Sequence, residues 1–293
     1  LGVYHHNGDV TAMYRELAGR DPAWRVDAGE PSGPGWIRGV ELAEARDGAF
    51  HDLLRRIGAR MQSGDKRTIA ASFLLRFGWA SGLAIAPYVL FECVPDVRLE
   101  NVSFRFKEST FFDRAALHEP RGLFLAGAAG ESGSGGAADG DDRGALLRRL
   151  RETLYAQADP VVRALTAWSG FAPKASWGLL TSSWASQVVS AFGRLGPQAA
   201  AVPVLDALFA SRDAAAPDEV TRMRPGLHLV SCEQVTHVFQ RRSSCCRYYL
   251  LPQGDLCASC PLVSHEERLA KNLAWMQELL ERERQRTNGP GHA

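Results

Sequence analysis

Ser244-Cys245-Cys246-Arg247-Tyr248-Tyr249-Leu250-Leu251-Pro252-Gln253-Gly254-Asp255-Leu256-Cys257-Ala258-Ser259-Cys260-Pro261 carries four of the six cysteines in the chain. Its pattern is C-C-x10-C-x2-C. Pro252-Gln253-Gly254-Asp255 is a turn signal, so the two cysteine pairs can fold toward each other as a short hairpin. A helix should follow at once. Ser264 and Glu267 have the spacing of a capping box, and Leu269, Leu273, Met276 and Leu280 recur on one helical face. The C-terminus therefore reads as a cysteine hairpin plus a helix.

Working back toward the N-terminus, helical periodicity dominates the second half. Leu147, Leu150 and Leu154 form one stripe. Trp184, Val188, Ala191 and Leu195 form another, closed by Gly196-Pro197. Pro203 to Ser211 reads as a short helix, and Leu227 to Phe239 as extended chain. In the first half, helices are expected over Leu42–Met61 and Lys66–Ala84. Tyr88 to Val94 is a short apolar run. Val97 to Phe106 alternates in two phases with a slip near Asn101, either a bulge or the true start of the strand. Leu123 to Leu125 suggests another strand. The expectation is an α+β fold, mostly helical, with a small antiparallel sheet in the N-terminal half. Three regions follow: an α+β part over 1–126, a flexible Gly-rich loop over 127–144, and a helical part over 145–293 that carries the cysteines. The Gly-rich loop has no apolar face with which to offset its ordering entropy.

Composition narrows the function. With 34 Lys+Arg against 33 Asp+Glu, the chain lacks the basic excess of nucleic-acid binders. At 293 residues it can bury a self-sufficient core, so six cysteines do not imply a disulfide scaffold. The apolar run Trp79–Val94 holds Pro87 and Glu92 and falls short of a membrane span, which needs about 20 residues. No signal peptide is visible at the start of the sequence. Closely spaced cysteines fit a reducing compartment, so a cytoplasmic location is expected. The glycines of 127–144 lack the strand–turn–helix setting of a nucleotide fingerprint, so electrons for any redox chemistry would come from elsewhere.

Three readings of the four cysteines compete on spacing. Cys245, Cys246, Cys257 and Cys260 could hold a structural zinc ion, giving a zinc-stabilised binding module. They could hold a [2Fe–2S] cluster, in an electron carrier or sensor, or they could be free or disulfide-bonded thiols. Adjacent cysteines on extended chain diverge, so a single tetrahedral ion would need a kinked backbone at Cys245-Cys246. His237 and His265 flank the stretch, but four cysteines already complete a ligand set. Cys93 and Cys232 sit in apolar surroundings and read as small core residues.

The pattern and its setting resemble the FhuF family of ferric-siderophore reductases. Arg242-Ser243-Ser244-Cys245-Cys246-Arg247-Tyr248-Tyr249 is similar to the family's approach to its Cys-Cys pair, and Cys257-Ala258-Ser259-Cys260-Pro261-Leu262 to its C-x-x-C-P-L ending. Trp177-Gly178-Leu179-Leu180-Thr181-Ser182 is similar to a weaker W-G-x-x-x-S element. The resemblance implies a [2Fe–2S] cluster on Cys245, Cys246, Cys257 and Cys260, which would be both its ligands and the catalytic centre. It also implies one-electron reduction of ferric siderophores, with iron(II) released. The electron donor would be a separate ferredoxin, flavin reductase or NAD(P)H-dependent reductase. Arg241, Arg242 and Arg247 are candidates for attracting the siderophore. Trp177 reads first as core and second as a ligand platform.

Overall fold

The computed structural model describes residues 8–21, 24–125, 141–210, 220 and 222–288. Helix α3 (Lys66–Ser81) lies at its centre and is buried on nearly every side. Its sequence has no polar stripe, which is what an enclosed helix requires. Phe73 and Phe77 stack at 5.7 Å, and Phe77 meets Phe104 of the sheet edge-on at 6.1 Å. On its other side α3 packs on α6 (Pro173–Gly193). There Trp184 Nε1 donates to Ser81 Oγ at 2.9 Å, and Gln187 Nε2 to the Gly78 carbonyl at 2.9 Å.

The architecture is α+β, as expected, but the sheet is mixed. Its order is β1 (Val26–Ala28), β5 (Phe112–Leu117), β4 (Val102–Phe106) and β2 (Trp36–Arg38). β4 runs antiparallel to both neighbours, whereas β1 pairs parallel with β5, Val26 opposite Ala115. β3 (Cys93–Pro95) and β6 (Gly122–Phe124) form a separate antiparallel pair. The two-phase alternation resolves into a 3-10 turn at Leu99–Asn101 followed by β4, so the strand begins at Val102. The register shift within β4 lies instead between Arg105 and Phe106.

The expected helices form with adjusted ends. A 3-10 turn at Gly39–Ala43 precedes α2 (Gly48–Arg60), and α1 (Val10–Arg20) caps the sheet end of the core. α4 (Ile85–Phe91) carries Pro87 in its first turn, where the missing N–H costs no helical bond, so much of the 88–94 run is helical. Among the described residues, Lys66–Phe91 has the length and composition to cross a membrane. However, 78% of its most apolar window is buried within the fold, as in a core helix.

α5 (Asp141–Ser169) starts inside the stretch expected to be a loop. Residues 141–144 of that stretch are helical, while 127–140 lie outside the described residues. α7 (Ala201–Ala210) follows α6. One cluster of buried apolar residues reaches from Val10 to Leu251, so the two halves of the chain share a core. The last elements are the hairpin β7 (Gly226–Cys232) and β8 (Val235–Arg241), the cysteine segment, and α8 (His265–Asn288).

α8 buries part of the expected stripe, at Met276, together with two polar residues outside it. Arg268, Asn272 and Met276 are buried, whereas Leu273 is 38% exposed. The cause is polar: Asn272 Nδ2 lies 2.8 Å from His228 Nε2 of β7, and Arg268 bonds the carbonyls of the cysteine turn.

The α3–α6 contact depends on Gly78. A Cβ there would overlap Ser183 Cβ, a backbone-fixed atom that cannot swing aside. Gly78→Ala should therefore destabilise the protein by about 1–3 kcal/mol. Denaturant unfolding checks this, and an unchanged midpoint would mean that the helices are not in this close contact.

Candidate functional site

Strand β8 leads directly into the cysteine segment, and α6 provides the seat for it. At Gly178 an added Cβ would come within 2.7 Å of Ser244 Cβ and 2.8 Å of Met223 Cε. The backbone of α6 thus approaches Ser243-Ser244 as closely as a glycine permits. Ser243 Oγ donates to the Met223 carbonyl, and Thr181 Oγ1 donates to the same oxygen at 2.7 Å. The W-G-x-x-x-S element is therefore the surface on which the approach to Cys245 rests.

The segment then turns sharply. Arg247 has φ +61, a conformation uncommon for a residue with a side chain. Its own contacts hold it there. Arg247 Nε donates to Thr68 Oγ1 at 3.1 Å and Nη2 to Asp65 Oδ2 at 2.9 Å, which ties the cysteine segment to the N-terminus of α3. Asp65 also caps α3, accepting from Arg67 N and Thr68 Oγ1. These hydrogen bonds, led by Thr68, hold its carboxyl below its ordinary range. A 3-10 turn at Tyr248–Leu250 follows and leaves Tyr248, Tyr249 and Leu250 exposed.

The second cysteine pair is gripped from three sides. Arg242 N donates to the Ser259 carbonyl at 2.8 Å, and the Cys260 amide to the Cys257 carbonyl at 2.9 Å. From α8, Arg268 Nη2 reaches the carbonyls of Cys260 and Val263 at 2.9 and 2.6 Å, and Lys271 Nζ that of Leu256 at 2.6 Å. Burial, and then repulsion from Arg241, lowers the pKa of Arg268.

All four cysteines line one cleft of about 390 Å³, with Arg242, Tyr248, Tyr249 and Leu75 among its other walls. Their sulfurs have different surroundings. Cys257 is exposed, and Arg242 Nη2 donates to its sulfur at 2.6 Å. Cys245 is half-buried and accepts from the Arg247 amide at 3.3 Å; burial pushes its thiol pKa up. Cys246 and Cys260 are buried, and Cys246 belongs to the apolar core. All six cysteines are free.

This arrangement overturns the expected cofactor. Among the described residues, no three His, Cys, Asp or Glu side chains are grouped so that they could hold a metal ion. The adjacent pair has unlike surroundings, Cys246 within the apolar core and Cys245 accepting from the Arg247 amide, and the Arg242 guanidinium engages Cys257. The cysteines as placed do not fit a [2Fe–2S] cluster, and the four-cysteine zinc site falls with it.

The other candidates separate. Arg242 lines the cleft, Arg241 Nη2 donates to the Pro261 carbonyl at 3.2 Å, and Arg247 is committed to α3. Trp177 is 2% exposed, packed against Tyr155 and Trp184, and stands away from the cleft lining. His237 and His265 also lie outside that lining. Cys93 is buried in β3, with its thiol pushed up to about 12 by burial, while Cys232 is half-buried at the end of β7. Sequence reasoning missed Leu75, which packs under the cleft from α3, because nothing local links it to a segment so far along the chain.

Residues 242–262 match the family described as the FhuF 2Fe-2S C-terminal domain. The match relates this segment to the FhuF family, an oxidoreductase-associated one, and covers the cleft-forming cysteines. No curated protein matches the chain.

The sulfur environments set an order of reactivity. Timed alkylation followed by mass spectrometry should label Cys257 first and Cys245 more slowly, while Cys93 stays protected until the protein unfolds. Early labelling of Cys93 would contradict the placement of β3 in the core.

Proposed function

We propose that the chain promotes release of iron from ferric siderophores by reduction, with the cysteine-lined cleft as the place where the complex is received. The observation that carries this reading is the convergence of four thiols, a guanidinium and two exposed tyrosines on one cleft, within the segment related to FhuF. Siderophores hold iron(III) through hard oxygen donors, and iron(II) is held far less tightly by the same atoms. Each event adds one electron to one iron(III) ion and breaks only metal–oxygen coordination, so the siderophore leaves intact. The electron comes from a separate one-electron donor, of the ferredoxin or flavin-reductase kind, working in the cytoplasm.

The roles of the chain's own groups follow from their placement. Arg242 sets a positive charge beside the Cys257 sulfur and Asp255 a negative one on the same lining, so the cleft meets polar groups of either sign on the complex. Tyr248 and Tyr249 offer exposed rings and hydroxyls to the siderophore's outer surface. Cys245, Cys246, Cys257 and Cys260 are the redox-capable side chains at the point of contact.

An anaerobic assay tests this, with ferredoxin, its reductase and NADPH as donor and a coloured ferrous chelator as readout. The protein should speed ferrous formation from a ferric siderophore at least about tenfold over the donor alone, a barrier reduction of about 1.4 kcal/mol. Each Cys→Ser substitution in the cleft should return the rate toward that of the donor. No acceleration by the wild type, or full activity in all four variants, would overturn the proposal.

A further inference from the structure

A second and larger cavity, of about 550 Å³, lies beside the cysteine cleft. Two elements join them. Leu75 of α3 lines the cleft and Trp79, one turn further along, lines the cavity. β8 contributes His237, Phe239 and Gln240 to the cavity and runs on into Arg242 of the cleft. One helical turn advances about 5.4 Å, so a molecule in the cavity would abut the cysteine segment.

The walls specify the chemistry of an occupant. Trp79 and Trp275 are 48% and 47% exposed, although large aromatic surface is costly to leave in water. Trp275 meets His237 edge-on at 5.5 Å and Phe239 edge-on at 5.7 Å. Phe239 also stacks on His228 at 6.1 Å, so the ring surface left for a ligand is that of Trp79 and Trp275. Gln240 Nε2 is engaged by Ser186 Oγ, which leaves Gln240 Oε1 buried with no partner among the described residues. That oxygen is closed off from the cavity, so the ligand contacts rest on the rings. No carboxylate lines the cavity, and its one guanidinium, Arg194, pairs with Asp21.

We infer that this cavity binds a planar aromatic ring, stacked between Trp79 and Trp275. The volume suits such a ligand, since small-molecule sites usually span about 300–1,000 Å³. Two sources share this chemistry: the aryl arm of a siderophore whose iron sits over the cysteine cleft, and the isoalloxazine ring of a flavin donor. The choice between them rests on the reductive reading of the cleft; the site itself does not.

Isothermal titration calorimetry on the whole chain, with neither iron nor reductant present, tests the site. The probes are 2,3-dihydroxybenzoate, flavin mononucleotide and, as a ringless control, acetohydroxamate. At least one ring-bearing probe should bind, and the one that binds identifies the source. Trp79→Ala and Trp275→Ala should each weaken it by about tenfold, the usual effect of losing a stacking partner. Circular dichroism should stay unchanged in both variants. Binding of neither ring probe, equal binding of acetohydroxamate, or wild-type affinity in both folded variants would overturn the inference. Failure of the ferrous assay would leave this result standing, and the reverse also holds.

Discussion

The close approach of α6 to its neighbours is the constraint on which the rest depends. Along one face, Gly78 of α3 lets the two helices meet at Ser183, and Trp184 and Gln187 lock them with hydrogen bonds to Ser81 and Gly78. Near its N-terminal end, Gly178 lets Ser243-Ser244 lie against the helix backbone. One helix therefore sets both the core and the position of the cysteine segment. Because α3 also receives Arg247 at its N-cap and supplies Leu75 to the cleft, the segment is fixed relative to the core at three points. The single left-handed residue in that segment, Arg247, is where this anchoring is paired with local strain.

The sequence carried the helices whose burial is decided by their own apolar spacing, such as α2, α3 and the stripe of α5. It failed where polar contacts outweighed apolar spacing. The expected stripe of α8 is buried in part, at Met276, but Arg268 and Asn272 outside it also turn inward, because a buried carbonyl or histidine nitrogen left without a partner is costly. The parallel pairing of β1 with β5 joins residues nearly ninety positions apart, and no local signal encodes it. The grouping of Cys245, Cys246, Cys257 and Cys260 into one cleft was legible from their spacing and the turn between them. The surroundings of the four sulfurs were not. These depend on Arg242, on the Arg247 amide and on the core side of Cys246, and they removed the expected cluster. Trp79 and Trp275, which face one cavity from helices at opposite ends of the chain, left no shared mark in the sequence.

Two adjoining concavities of the molecule differ in chemistry. The smaller presents thiols with one guanidinium and one carboxylate; the larger presents two half-exposed tryptophan rings. Arg268 and Lys271 of α8 hold the Cys257–Cys260 turn by its carbonyls, so the geometry of the cleft is set by hydrogen bonds to backbone.

The central claim is that the seat at Gly178 places the cysteines where iron is reduced. The rate of ferrous formation from a ferric siderophore by Gly178→Val, compared with wild type under the same anaerobic conditions, tests it most directly. The account predicts that the variant stays folded, keeps all six free thiols and loses most of the acceleration, because the valine displaces Ser243-Ser244 and the cleft with them. Equal rates in a folded Gly178→Val protein would contradict it.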